Sequence, residues 1–282
     1  MENVKPNAFK QVLEPNLLLL GLFLHIFPFL QATDNLRSGD MRSIGMGGAG
    51  ATTSPLLNPS LIALSGQKSV SLNYFNRYAL KELATVGGSF YLPEALIPAG
   101  IDISSFGYDD YRESMFRLLI AKRLNYHWAL GVSVQYAILQ TVLLEESPAQ
   151  LSTDVGLTFI PVDNVLIGLF IMNLPSVSLN RGAVENMMFM PWLIQAGFQW
   201  ELINGLLISA ALSTCEEDVA SAGLGIEYKP FDDFSMRMGI KGAPMLPSFG
   251  LGYAFSDFKT DVAFVYHPVL GISTGIGISF YF

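Results

Sequence analysis

From about residue 66 to the C-terminus, apolar side chains recur at every second position in stretches of about ten, each bounded by turn residues. A period of two is the mark of a β-strand whose two faces meet different surroundings. In 127–136, Trp128, Leu130, Val132, Val134 and Tyr136 share one face, with Gly131, Ser133 and Gln135 opposite. In 192–200, Trp192, Ile194, Ala196, Phe198 and Trp200 oppose Leu193, Gln195, Gly197 and Gln199. The last stretch puts Ile272, Thr274, Ile276, Ile278, Phe280 and Phe282 against Gly271, Ser273, Gly275, Gly277 and Ser279. In a soluble sandwich the second face would be rich in Lys, Glu and Thr, because it meets water. Here it is mostly Gly, Ser, Ala and Gln, which suits a crowded polar interior and turns the apolar face outward. Strands with apolar outer faces close into a barrel in lipid, where no backbone group can be left unpaired.

Composition agrees with a lipid solvent. Apolar residues make up 51% of the chain and charged residues only 14%, against a usual quarter for the latter. That excludes intrinsic disorder, a coiled coil and a nucleic-acid binder, all of which need far more charge. It also leaves too few charges to cover an ordinary soluble domain. The net charge of −8 disfavours nucleic acid and a tight electrostatic hold on anionic lipid.

A spanning helix is not the alternative. The candidate run, 17–32, is interrupted by His25 and Pro28 and falls short of the roughly 20 residues a bilayer needs. With Lys5 and Lys10 before it and Leu30-Gln31-Ala32 at its end, it reads as a secretory signal peptide cleaved after Ala32. The sole cysteine, Cys215, permits no intrachain disulfide, and no cysteine follows the cleavage region to anchor a lipid.

About fourteen strands are expected, an even number as single-chain barrels usually have. They start near residues 68, 82, 96, 114, 127, 151, 163, 190, 204, 219, 233, 247, 258 and 271. Alternate connections are tight, at Asn125-Tyr126, 161–163, Asn204-Gly205, 230–233 and Ser256-Asp257. Most of the others are longer, at 107–113, 139–150, 174–189 and 213–218. With both termini periplasmic, the tight set is periplasmic and the long set extracellular. Asp109-Asp110, Glu145-Glu146 and Glu216-Glu217-Asp218 then all fall outside the cell. The expected organisation is a signal peptide (1–32), a periplasmic or luminal plug segment (33–66) and an all-β transmembrane antiparallel barrel (67–282). Trp128 and Tyr136, like Trp192 and Trp200, sit near strand ends where interfacial girdles form. The alternating C-terminus ending on Phe280 and Phe282 resembles the signal by which insertion machinery recognises outer-membrane barrels.

Residues 33–66 break the period. Gly45, Gly47 and Gly50 formally spell G-x-G-x-x-G, but polar coil precedes them and Pro55 follows, so the strand and helix of a dinucleotide site are missing. Close packing is the physical reading: a segment almost without side chains can lie inside a barrel against its wall. The plug motif is Gly45, Gly47, Gly48 and Gly50 followed by Asn58-Pro59, which starts a short turn carrying Leu61, Ile62 and Leu64. The pattern S-x-G-M-G-G-A-G with N-P-S-L-I-A resembles the N-terminal region of the FadL-like superfamily of outer-membrane barrels. It is most similar to the PorV/PorQ-type branch associated with type IX secretion in Bacteroidetes-like bacteria, as is 106–113 (Phe106-Gly107-Tyr108-Asp109-Asp110-Tyr111 through Glu113). The resemblance implies a fourteen-stranded barrel with the N-terminal segment tucked into the lumen, located in the outer membrane of a Gram-negative bacterium.

Little reactive chemistry is expected. Past the leader only His127 and His267 remain, and no Cys/His cluster offers a metal site. His267, beside Pro268 at an outer rim, reads as a solvated histidine rather than the base of a lipid hydrolase, and there is no G-x-S-x-G elbow. No catalytic residue, metal or cofactor is expected. The inward positions do carry charge of both signs: Asp102, Arg117, Arg123, Asp154, Glu227, Arg237 and Lys241. Mixed signs suit salt bridges holding a plug. The leading expectation is a non-enzymatic PorV-like partner barrel in protein secretion or surface assembly, because the chain has no room for long capture loops. Its partners are outer-membrane lipid, the barrel-insertion machinery, and secretion components or secreted cargo. The alternative is a FadL-like channel taking up small hydrophobic compounds.

Overall fold

The computed structural model describes residues 35–37, 40–180, 189–216, 220–242 and 244–282; the expected leader, with Glu217 and Asp218, lies outside these. The strands are β1 (Ser69–Asn76), β2 (Ala84–Leu92), β3 (Ala99–Tyr108), β4 (Tyr111–Arg123) and β5 (Trp128–Thr141). They continue as β6 (Ala149–Val162), β7 (Val165–Met172), the short β8 (Ser176–Ser178), β9 (Leu193–Ile203) and β10 (Leu206–Cys215). The last five are β11 (Ser221–Phe231), β12 (Phe234–Lys241), β13 (Leu246–Phe255), β14 (Phe258–His267) and β15 (Gly271–Tyr281). Apart from β8, which pairs with β6 alone, each pairs antiparallel with the next strand along the chain, β7 with β9. β1 pairs with β15, from Ser69↔Tyr281 to Asn76↔Thr274, and so joins the two ends of the sheet. The result is a closed fourteen-stranded antiparallel barrel, with β8 as an extra piece.

The alternation read from the sequence becomes the two faces of the wall. On β15, Ile272, Ile276 and Ile278 are exposed, whereas Ser273, Gly275 and Gly277 are buried. On β5, Val134 and Tyr136 face out while Ser133 and Gln135 are buried. An exterior of Ile, Leu, Val and aromatic side chains is stable only against an apolar solvent, and closure leaves no unpaired strand edge. Aromatic pairs gather at the end of the barrel carrying the tight turns. Trp128 stacks on Phe159 at 4.4 Å, and Phe280 lies 4.8 Å from Phe258 and 5.6 Å from Phe282.

Tight connections form at this turn end as expected. Asn204-Gly205 joins β9 to β10 with Gly205 at φ 82°, the left-handed conformation for which a hairpin turn selects glycine. At the opposite, loop end two of the connections expected to be longer are shorter. β3 and β4 pair up to Tyr108↔Tyr111, so 107–113 is a two-residue turn of Asp109 and Asp110. Gly107, at φ 102°, lets the strand bend late enough for this. Likewise β5 runs on to Thr141 and β6 begins at Ala149, shortening that loop to 142–148. Between β7 and β9 the chain leaves the ladder at Asn173, which has φ 58°, and rejoins as β8 against β6 at Ser152↔Ser176.

The segment before β1 holds a short helix, α1 (Met41–Gly45), and a 3-10 turn, Pro59–Leu64. The expectation of polar coil ahead of the glycines is therefore corrected. Asp40 caps α1 by accepting from the Arg42 backbone N–H at 3.1 Å, so a helix turn forms despite its short length. The described part of this segment starts near the loop end. Asn35 donates to Glu113 at 3.1 Å and accepts from Thr85 at 2.7 Å, and both partners lie at the loop end. Leu36 packs there with Phe106, Met115 and Met190. From this point the segment follows the inner face of the wall to Ser65 and then enters β1 at the turn end.

Candidate functional site

The inward face of the strands is where side chains with chemistry converge. Because inward positions alternate with outward ones, many polar residues on this face meet the N-terminal segment or a cavity. Gly47 has φ 68°, and a Cβ there would meet the carbonyl oxygens of Leu224 and Ile240 at 2.6 and 2.7 Å. The reciprocal positions Gly223, Gly225 and Gly239 lie against Met46 and Gly47. Glycine facing glycine lets two backbones approach where any side chain would separate them. The approach is fixed by hydrogen bonds: Gly47 N–H donates to Ser248 Oγ at 3.1 Å, and Ala51 N–H to Gln195 Oε1 at 3.0 Å.

Asn58 is fully buried and joins three elements. Its Oδ1 accepts from Ser60 N–H at 3.1 Å, capping the 3-10 turn, and from Ser60 Oγ at 2.6 Å. Its Nδ2 donates to Ala51 O at 2.7 Å and to Thr158 Oγ1 on β6 at 3.2 Å. Pro59 follows at the first position of the turn, where a missing N–H costs nothing. Gly131 of β5 and Gly156 of β6 leave the space that Ser60, Pro59 and Asn58 fill.

Two chains of buried charge tie the segment to the wall. In the first, Asp154 lies 3.1 Å from Arg37 and 3.8 Å from Arg117. Arg117 pairs with Asp102 at 3.3 Å and donates to Leu56 O at 2.5 Å and Pro55 O at 3.3 Å. Tyr91 donates to Asp102 at 2.8 Å, and Ser133 and Asn173 N–H donate to Asp154 at 2.6 and 3.0 Å. Arg37 also donates to Gln135. In the second, Arg42 clamps Glu227 with both arms at 2.9 and 2.8 Å. Glu227 accepts from Arg237 at 2.5 Å, Arg237 reaches Asp261 at 2.6 Å, and Asp261 pairs with Lys259 at 3.0 Å. Alternating signs along each chain leave no buried charge without an opposite neighbour, as low-dielectric surroundings require.

Of the seven charges read as inward, Asp102, Arg117, Asp154, Glu227 and Arg237 are all buried within these two chains. Of the other two, Arg123 is corrected, whereas Lys241 keeps its inward parity outside both chains. Arg123 shares their parity, but β4 ends there and its guanidinium turns back to the carbonyls of Asn125 and Tyr126 in the exposed turn. Lys241 is at the loop-end mouth, exposed and bordering a cavity. His267 is corrected as well: it is buried rather than solvated. Its Nδ1 accepts from the backbone N–H of Val269 and Leu270 at 3.2 and 3.1 Å, which places the ring proton on Nε2. Arg37, Arg42, Lys259 and Asp261 were missed. The first two sit in a stretch without periodicity. Asp261 and Lys259 carried a usable signal, since Asp261 stands opposite the inward Gly277 of β15.

Cavities remain on both sides of the segment. Toward the turn end lies one of about 430 Å³, bordered by Asp40, Ser54, Asn73, Lys259 and Tyr281. Toward the loop end a second, of about 240 Å³, is lined mainly by apolar surface, with Ile44, Phe75, Leu246 and Val265 beside Arg77, Lys241 and His267. Among the described residues no group of His, Cys, Asp and Glu is arranged to hold a metal ion.

Solved structures share this fold. The Pseudomonas putida toluene transporter TodX superposes with a TM-score of 0.60 at 12% identity, covering 85% of this chain and 96% of that one. A deltaS2 mutant of the TodX monoaromatic hydrocarbon channel gives 0.63 at 13% identity over 88% and 100% of the two chains. A Pseudomonas aeruginosa FadL homologue gives 0.53 at 12% identity over 86% and 97%. No family model and no curated protein matches the sequence. At these identities the likeness is one of fold, that of FadL-like outer-membrane barrels.

Proposed function

We propose, from a barrel of this fold as the premise, that the chain is a non-enzymatic outer-membrane channel admitting small apolar compounds. The observation that carries the reading is the mainly apolar cavity of about 240 Å³ opening toward the loop end inside such a barrel. A site of that size and lining takes a small molecule with few polar groups. The solved barrels similar in fold are described as a toluene transporter, a monoaromatic hydrocarbon channel and a FadL homologue. This reverses the order of the two readings from sequence, in which a docking role stood first. In the same reading 1–32 directs export, Phe280 and Phe282 form the insertion signal, and the segment from Asn35 to Ser65 plugs the lumen. Its glycines and the two charge chains hold it there.

Deleting the gene is expected to slow uptake of at least one small aromatic or aliphatic solute, measured as accumulation of radiolabelled compound. Unchanged uptake across a panel of such solutes would remove the channel reading.

One observation favours the partner reading. Val142, Leu143, Met245 and Val269 at the loop end are strongly exposed, up to 86% for Leu143, although these tips lie beyond the expected lipid band. A PorV-like partner covering them would co-purify in mild detergent at native expression. A barrel recovered alone would argue against that role.

A further inference from the structure

The two cavities share a boundary. Along β1, Asn73 borders the turn-end cavity while Phe75 and Arg77 border the loop-end one. Along β14, Asp261 borders the first and Val265 the second, with the inward Ala263 between them. Along β15 the order is Gly277, Gly275, Ser273. On the segment, Met41 borders the turn-end cavity and Ile44 the loop-end one. Successive inward positions are two residues apart, about 7 Å along a strand. One layer of side chains therefore separates the cavities.

That layer is apolar and buried. Met41, Phe75 and Ala263 form a cluster exposed by 1%, 6% and 0%, with Ile44 packed against it. It is also full: a Cβ at Gly275 would run into Met41 Sδ and the Phe75 ring. Polar groups stand close on either side, Lys259 and Asp261 below and His267 and Lys241 above, and the Arg77 guanidinium lies 5.4 Å over the Phe75 ring. Met41 and Phe75 supply it from different elements, one from α1 and one from the wall. Met41 is unbranched with three rotatable side-chain bonds, so it can swing aside without moving backbone.

We infer that Met41, Phe75 and Ala263 form the selectivity septum of the channel, an apolar layer crossed by small uncharged molecules and closed to ions. The inference rests on the channel reading and adds where the barrier lies and what it discriminates. An ion passing between Met41, Phe75 and Ala263 must shed hydration against apolar atoms, whereas an apolar solute loses nothing there. Apolar constrictions in channels exclude ions by dewetting in the same way. The route runs along β1, β14 and β15, away from the first charge chain on β2 to β7 and past Asp261 and Lys259 at the end of the second.

The test is ion conductance of purified protein in planar lipid bilayers in potassium chloride, comparing wild type with Met41→Ser and with Met41→Ser/Phe75→Ser. Met41 lies on the segment, so the single variant leaves the barrel wall untouched. The heat-modifiable mobility of a folded barrel verifies both. Wild type is expected to conduct at background, with both variants at least about tenfold above it, the double variant more so. Folded variants no more conductive than wild type would overturn the septum, as would a wild type that already conducts like the double variant. Uptake of apolar solute by wild-type cells is measured separately. Its absence would remove the channel reading, while the conductance comparison would still decide whether this layer is the ion barrier.

Discussion

At the scale of single residues, the charges inside the barrel show how a lumen tolerates ions. Glu227 lies between two guanidiniums, accepting from Arg42 at 2.8 and 2.9 Å and from Arg237 at 2.5 Å. Removing one partner from a buried cluster leaves like charges facing each other, a loss of about 3–5 kcal/mol. Glu227→Ala is therefore expected to lower the urea midpoint of the barrel in lipid vesicles by a corresponding amount. In the Glu227→Ala/Arg42→Ala double variant part of the loss returns, since Arg42 is gone and Arg237 keeps its pairing with Asp261 at 2.6 Å. No change in midpoint would mean that solvent already screens the pair. Legibility at this scale was uneven. Asp102, Arg117, Asp154, Glu227 and Arg237 could be placed from strand parity alone. Their partners Arg37 and Arg42 could not, because a segment without a repeating pattern gives no direction to its side chains. Arg123 had the right parity and the wrong surroundings, since at the last residue of a strand a long side chain is free to fold back onto the turn.

At the scale of elements, strands were legible because lipid and lumen demand opposite side chains at adjacent positions. Every main strand begins within about three residues of its expected start, the usual uncertainty of element ends. The wall also predicts its own sensitivity. Ile276 lies midway along β15, 42% exposed on the outer face. Ile276→Lys is expected to destabilise the barrel by about 2–4 kcal/mol, as for a cation at the bilayer midplane. Unfolding titrations in vesicles measure it, and a shift under about 1 kcal/mol would mean the position lies near an interface instead. Connections were less legible than strands. The Asp109-Asp110 turn looked like part of a loop, because Gly107 and the acidic residues read as loop composition whether or not the ladder continues through them. β8 went unrecognised for a related reason: three residues are too few to show a period.

At the scale of the molecule, wall and segment are complementary surfaces. Gly131 of β5 accepts the turn at Asn58–Ser60, and a Cβ there would land on the Ser60 backbone. Gly131→Val is expected to unseat the turn and expose 58–64 to protease in detergent, with the barrel itself still heat-modifiable. The overpacking would cost about 1–3 kcal/mol. A segment still resistant to cleavage would show that the wall yields instead. The sequence by itself determined the antiparallel barrel of about fourteen strands and the face on which most wall residues stand, because period two ties each face to a solvent. It also showed that the glycine segment must pack closely against something. Only the tertiary structure decided the path of that segment from Asn35 at the loop end, its pairing through Arg37 and Arg42, and the Met41–Phe75 layer between the cavities. Those contacts join residues far apart in the chain, and a local pattern carries no information about which distant surface a side chain will meet.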